Sequence, residues 1–203
     1  MTARGAKSDA PDKLSRDQVL EILEEREKSA HHELAARTDA GPDVLLYLAT
    51  KGAAVIRRAV AANMGTPAQA NWLLADDEDD EVRVELARKI GRLMPDLDKE
   101  ESEKLRALTI ETLEKLANDQ LPRVRAILAE EIKSLDCVPK KIIRRLAVDL
   151  EMIVAAPILE YSPLLSDADL MEVIATAKAS AALTAIAKRK FLSANVADAI
   201  VTS

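Results

Sequence analysis

Six consecutive carboxylates, Asp76-Asp77-Glu78-Asp79-Asp80-Glu81, form the densest group of metal-ligating side chains in the sequence. Hard cations such as calcium take oxygen ligands from runs of this kind. A helix–loop–helix calcium loop, however, needs glycine at its sixth position and glutamate at its twelfth. Counted from Asp76, those positions hold Glu81 and Ala87. The run therefore reads as a solvated turn whose charge favours the N-terminus of the helix that follows. His31 and His32 are adjacent, so on a helix they project about 100° apart and cannot chelate together. The spacings His-x3-His, Cys-x2-Cys, His-Glu-x-x-His and Gly-x-Ser-x-Gly are missing, and the five glycines form no phosphate loop. Cys137, the single cysteine, excludes an internal disulfide and fits a reducing compartment. With no histidine motif beside it, it reads as a small buried apolar residue and not a nucleophile. These residues argue for no enzyme, and no metal or cofactor is expected.

The elements that carry these residues repeat. The frame is Leu-Ala, six residues, an aliphatic residue usually followed by Arg, two residues, then aliphatic-Ala. Leu48-Ala49 precedes Ile56-Arg57 and Val60-Ala61, and Leu74-Ala75 precedes Val82-Arg83 and Leu86-Ala87. Leu116-Ala117 precedes Val124-Arg125 and Leu128-Ala129, and Leu146-Ala147 precedes Val154-Ala155 and Ile158-Leu159. A weaker copy starts at Ile174-Ala175 and a degenerate leading copy at Ile22-Leu23. Anchors at 22, 48, 74, 116, 146 and 174 stand 26, 26, 42, 30 and 28 residues apart. Two short helices and two turns fill such a unit at about 1.5 Å rise per residue. One hairpin cannot bury its apolar face, but a stack can. The expected fold is all-α, an α-solenoid of stacked two-helix repeats. The 42-residue interval implies an insertion from Met94 to Leu108 that lengthens one first helix and its loop.

The Val-Arg-x-x-Leu-Ala frame resembles the second helix of HEAT-type repeats. Ile56 to Asn63, followed by Thr66-Pro67, resembles their shorter leucine-rich-variant relatives. Val154 to Pro163, Leu165 to Leu170 and Ala185 to Asp198 resemble a bacterial family known only as domain of unknown function 2336. That resemblance implies an α-solenoid and carries over no catalytic residue. In HEAT-like repeats, Asp and Arg at corresponding positions form a ladder between neighbouring hairpins. Asp77, Asp119 and Asp149 each lie six residues before the Arg slot, held by Arg83, Arg125 and Ala155. The Arg falls beside the core stripe, so it is expected to be partly buried and must be paired. Lys51 replaces the first Asp and Ala155 the fourth Arg. The ladder is thus expected to be incomplete, with Asp149 reaching Arg125.

With Val82, Leu86 and Ile90 facing the core, slots two, three and six after the first aliphatic residue face away from it. The candidate protein-binding residues in these slots are Arg58, Val84, Arg88, Ala126, Ile127, Glu130, Pro157 and Glu160. A solvated helix face is mostly charged, whereas this one is largely small or apolar. It reads either as a docking groove for another helix or chain, or as a strip that tight curvature or a further layer buries.

Composition sets the remaining bounds. The 203 residues are 48% apolar and 32% charged with 2% aromatic, a globular balance in which thin side chains let helices approach closely. Residues 1–14 are expected to be mobile, with residues 15–203 forming the repeat domain. Ser15 with Gln18, and Asp98 with Glu101, make capping boxes. A last helix begins near Asn195 and lacks a partner, so either the chain is truncated at its C-terminus, the favoured reading, or another chain covers that end. Met1 to Lys13 lacks the apolar core of a secretory signal, and no uncharged run spans a membrane, so a cytoplasmic location is expected. A net charge of −6 argues against nucleic acid as a partner, since such binders displace phosphate counterions with cations. The leading expectation is a non-enzymatic protein–protein interaction scaffold with an unknown protein partner or a second copy of itself, as a homo-oligomer. The alternative is a nucleic-acid binder resembling DNA-repair glycosylases built from HEAT-like repeats; a small-molecule sensor with an apolar pocket is a third reading.

Overall fold

The structure, a computed structural model, describes residues 14–24, 28–96, 103–176 and 180–203. Among these residues it is all-α, with thirteen α-helices and no strand. They are α1 (Arg16–Glu24), α2 (Lys28–Ala36), α3 (Pro42–Lys51), α4 (Ala54–Ala62), α5 (Ala68–Leu74), α6 (Asp80–Leu93) and α7 (Glu103–Ala117). The others are α8 (Pro122–Ile132), α9 (Lys140–Ala147), α10 (Met152–Tyr161), α11 (Asp167–Thr176), α12 (Ser180–Ala187) and α13 (Ala194–Thr202).

Local chemistry sets the boundaries. Pro42 and Pro122 occupy the first position of α3 and α8, where a missing N–H costs nothing. Pro67 and Pro139 stand one residue earlier, as N-caps of α5 and α9. The Ser15–Gln18 capping box is formed in both directions, at 2.8 and 3.3 Å. The expected box at Asp98 and Glu101 lies outside the described residues, as do residues 1–13. At α13 the Ser193 hydroxyl accepts from the Val196 N–H.

The repeat anchors are the core. Leu48, Ile56, Val60, Leu74, Val82, Leu86, Leu116, Val124, Leu128, Leu146, Val154 and Ile158 are all buried. In the weaker copies the burial loosens: Ala175 is exposed, and Ile22, Leu23 and Leu183 are only half-buried. Even-numbered helices pack on one another in succession from α2 to α12. Odd-numbered helices do so from α3 to α9 and again from α11 to α13. The insertion lengthens both flanking helices and not only the first helix of its hairpin: α6 has 14 residues and α7 has 15. The apolar period of α6 continues through Ile90 and buried Met94, so extra turns gain core contact.

Gly91 marks the closest approach of α6 and α8. A Cβ there would lie 2.5 Å from Cβ of Glu131 and 3.4 Å from Cγ2 of Ile132. Gly91→Val should therefore force the two helices apart and destabilise the protein by about 1–3 kcal/mol, read as a lowered denaturation midpoint. An unchanged midpoint would mean that α6 and α8 are not in this contact.

Candidate functional site

Two features are built on this frame: the arginine–aspartate rungs that join hairpins, and the flank of the even-numbered helices that carries the candidate binding residues.

Each rung runs from an arginine of one hairpin to the aspartate in the turn of the next. Arg57 Nε and Nη2 donate to Asp77 at 2.6 and 2.8 Å. Arg83 donates to Asp119 at 2.6 and 3.4 Å, and Arg125 to Asp149 at 2.8 and 2.9 Å. Every aspartate also holds its own turn, accepting from the N–H two residues on, of Asp79, Leu121 and Glu151. Every arginine donates as well to a carbonyl of its own hairpin's turn: that of Gly52, Asp77 or Asp119. Arg83 and Arg125 are buried, as is Asp149. Burial pushes the Asp149 carboxyl up, but hydrogen bonds from Arg125 and the Glu151 N–H, with the charges of Arg125 and Arg145, hold it below the ordinary range. The three rungs are continuous, with Arg57 as the first arginine. Lys51 and Ala155, which looked like gaps, stand at the two ends. The reason is register: the Arg pairs forward, with the aspartate of the next copy, so Lys51 and Ala155 belong to no internal rung.

The candidate strip residues sit as follows. Arg58 is exposed and donates to Glu85 at 3.2 Å, and Arg88 donates to the same carboxylate at 2.8 Å. Burial pushes Glu85 up, and the bonds from Arg58 and Arg88 outweigh it and lower its pKa. Ala126, Ile127, Ala156, Pro157 and Glu160 are half-buried, and Glu130 is exposed and paired with Lys133. Val84 is a correction: it is buried, at 1% exposure. Helices α4 and α8 pack on both sides of α6, so the slot two residues after Val82 is sealed between neighbours and does not face solvent. Cys137 is a second correction. It is exposed, because it lies in the turn between α8 and α9, outside the helical period that would have turned it inward.

Pro157 is the sixth residue of α10. It has no N–H to give to the Ile153 carbonyl one turn back, and its ring crowds that group, an arrangement that costs a helix about 3 kcal/mol.

Three further features lie outside the rungs and the flank. Lys89 is buried at 3% exposure, and its ammonium donates to the Val60 and Asn63 carbonyls and to Asn71 Oδ1, at 3.4, 3.1 and 2.6 Å. Burial pushes its pKa down to about 7. A signal existed: Lys89 falls seven residues after Val82, squarely in the core stripe. Trp72 lies on α5 beneath Lys115, whose ammonium sits 3.6 Å from the ring centre. The third is a cleft of about 430 Å³ whose lining includes Val148, Leu150, Ala155, Leu159, Val173 and Ala182. It shares Ala147, Val148 and Val173 with a second of about 290 Å³ between α9 and α11.

Among the described residues, no group of three or more His, Cys, Asp or Glu side chains is placed to hold a metal ion, and no helix is long and apolar enough to cross a membrane. Residues 154–203 match a family described as an uncharacterised protein conserved in bacteria, DUF2336. The match covers the last quarter of the chain, from the third residue of α10 onward, and includes Pro157 and the cleft residues Ala155, Leu159 and Ala182. No curated protein matches the chain.

Proposed function

We propose that this chain, whose last quarter is similar to the bacterial family DUF2336, is an α-solenoid of stacked two-helix HEAT-like repeats. It works as a non-enzymatic protein–protein interaction scaffold in the cytoplasm. The partner docks on the free flank of the even-numbered helices, and a second copy of the chain is one form of that partner. What carries the reading is the stretch Ala126, Ile127, Ala156 and Pro157, half-buried on α8 and α10, where small and apolar side chains occupy a flank that solvent alone would make charged. The rim is mixed in charge, with Arg58, Glu85 and Arg88 paired among themselves, as interface rims are. Pro157 supports it further, since a residue that costs α10 stability stands within this stretch. The nucleic-acid reading has less support: the cations of this flank are neutralised by glutamates, and Trp72 sits on an odd-numbered helix under Lys115.

The test is light scattering over a concentration series, with Ile127→Asp and Pro157→Glu beside the parent chain. Pro157→Glu restores the missing helical N–H and should raise stability by about 1–3 kcal/mol, while placing a charge on the flank. If the chain self-associates here, both variants dissolve the oligomer, and Pro157→Glu does so with a raised melting temperature. An oligomer unaffected by either variant would remove this flank as the interface. If the parent is monomeric, the same two variants are compared in a pull-down from the source cell; a partner retained equally by all three would sink the reading.

A further inference from the structure

The joints between successive hairpins from α3–α4 to α9–α10 are closed at three levels. Even helix packs on even helix, odd helix packs on odd helix, and an arginine–aspartate rung ties the turns. Among the described residues, the joint between α9–α10 and α11–α12 keeps only the first of these. Helix α10 packs on α12, but Ala155 stands where the rung arginine would be. On the odd side, α9 and α11 face each other across the cleft of about 290 Å³, lined by Arg144, Val148, Leu165 and Val173.

What remains at this joint is unequal on its two sides. On the even side Arg189, just past α12, donates to the Leu159 and Ser162 carbonyls at the end of α10, at 2.7 and 2.8 Å. Those bonds fix the α12 end against the α10 end. On the odd side one carboxylate, Asp169 of α11, bridges the cleft. It accepts from Arg144 Nε at 2.6 Å and pairs with Lys140 Nζ at 3.1 Å. The Ser166 N–H and hydroxyl also donate to it, at 2.8 and 2.5 Å, which holds it at the first turn of α11. Arg144 and Lys140 are 56% and 43% exposed, so water reaches the cationic half of each pair, while Asp169 itself is buried at 7%.

We propose that this joint is a hinge. The α10–α12 contact and Arg189 form its axis, the Arg144–Asp169–Lys140 cluster forms its latch, and opening swings α11–α13 away from α9 and widens the cleft between them. Packed interfaces switch between discrete arrangements, and this joint has fewer ties than the three that precede it. The hinge stands whether or not the flank of α8 and α10 binds a partner.

Spin labels on the full chain test it. One pair uses the exposed native Cys137 with Met171→Cys on α11 and so spans the joint. The other uses Cys137 with Arg106→Cys on α7 and spans only ties of the earlier kind. The hinge predicts a broad or two-population distance distribution for the first pair and a narrow one for the second. Lys140→Gln with Arg144→Gln removes the latch without touching Asp169 or its bonds to Ser166. It should move the first distribution to longer separations and leave the second unchanged, which also reports that the variant is folded. Raising the salt concentration should act in the same direction. A first distribution as narrow as the second, and unmoved by the double variant, would overturn the proposal.

Discussion

Arg83→Met is expected to destabilise the protein by about 3–5 kcal/mol, the cost of stranding one partner of a buried ion pair. The guanidinium serves four acceptors at once: both oxygens of Asp119, the Asp77 carbonyl at 2.6 Å and Asp80 at 2.6 Å. Methionine keeps the length and apolar stem but leaves the Asp119 carboxylate, whose side chain is 5% exposed, with the Leu121 N–H as its remaining bond among those described here. The charge then sits in a place water reaches poorly, and this penalty exceeds anything the pair itself contributed. Asp119→Asn added to Arg83→Met removes the stranded charge while keeping an oxygen for Leu121. The double variant should recover part of the loss. Arg92→Met, which breaks an exposed pair with Glu131, should leave stability close to the parent's, because water replaces such a pair almost fully. Denaturant midpoints of the four proteins decide it. Equal, small effects for Arg83 and Arg92 would show that the rungs are solvated and do not hold the hairpins together.

How much of this was legible in the sequence depends on whether the residue answers to its own helix or to a neighbour's. The helices and their core followed from the fixed offset between Leu-Ala and the later aliphatic pair, because that offset is imposed by one hairpin closing on itself. The rungs were half legible. The recurring Asp and Arg announced a ladder, but only the packing of successive even-numbered helices shows that each arginine reaches forward, which turns Lys51 and Ala155 from defects into ends. Val84 was misplaced for the same reason: a helical wheel knows the core beneath a helix and not the two helices beside it. The cleft between α9 and α11 left no local trace. Lys140, Lys141, Arg144 and Arg145 look like a solvated basic face, and their pairing with Glu114, Asp149 and Asp169 depends on residues up to 29 positions away.

Stability should rise steadily as pH is raised from about 7 to about 10, and Lys89 should be the cause. Its ammonium is the buried cation whose neighbours are all neutral oxygens, two carbonyls at the C-terminal end of α4 and the Asn71 amide. Desolvation pushes its pKa down to about 7, against about 10.4 in an unfolded chain. The carbonyl end of a helix favours a cation and works against that fall, but it brings no full negative charge. Between the two values the unfolded chain keeps a proton that the folded chain has shed, so folding releases a proton and raising the pH favours it. The gain is complete above the unfolded value and is lost as pH falls to about 7, with a slope of up to about 1.4 kcal/mol per pH unit. Across the window this amounts to no more than about 4–5 kcal/mol. Lys89→Met lacks the titrating group, so its stability should be nearly flat over the same range. The stability of the parent relative to Lys89→Met should therefore rise with pH, because only the parent carries the group that titrates in this window. Urea denaturation of both chains at pH 6.5, 8 and 9.5 measures it. Parallel curves would mean that Lys89 keeps its proton throughout, and that three oxygens at the end of a helix suffice to hold a buried charge.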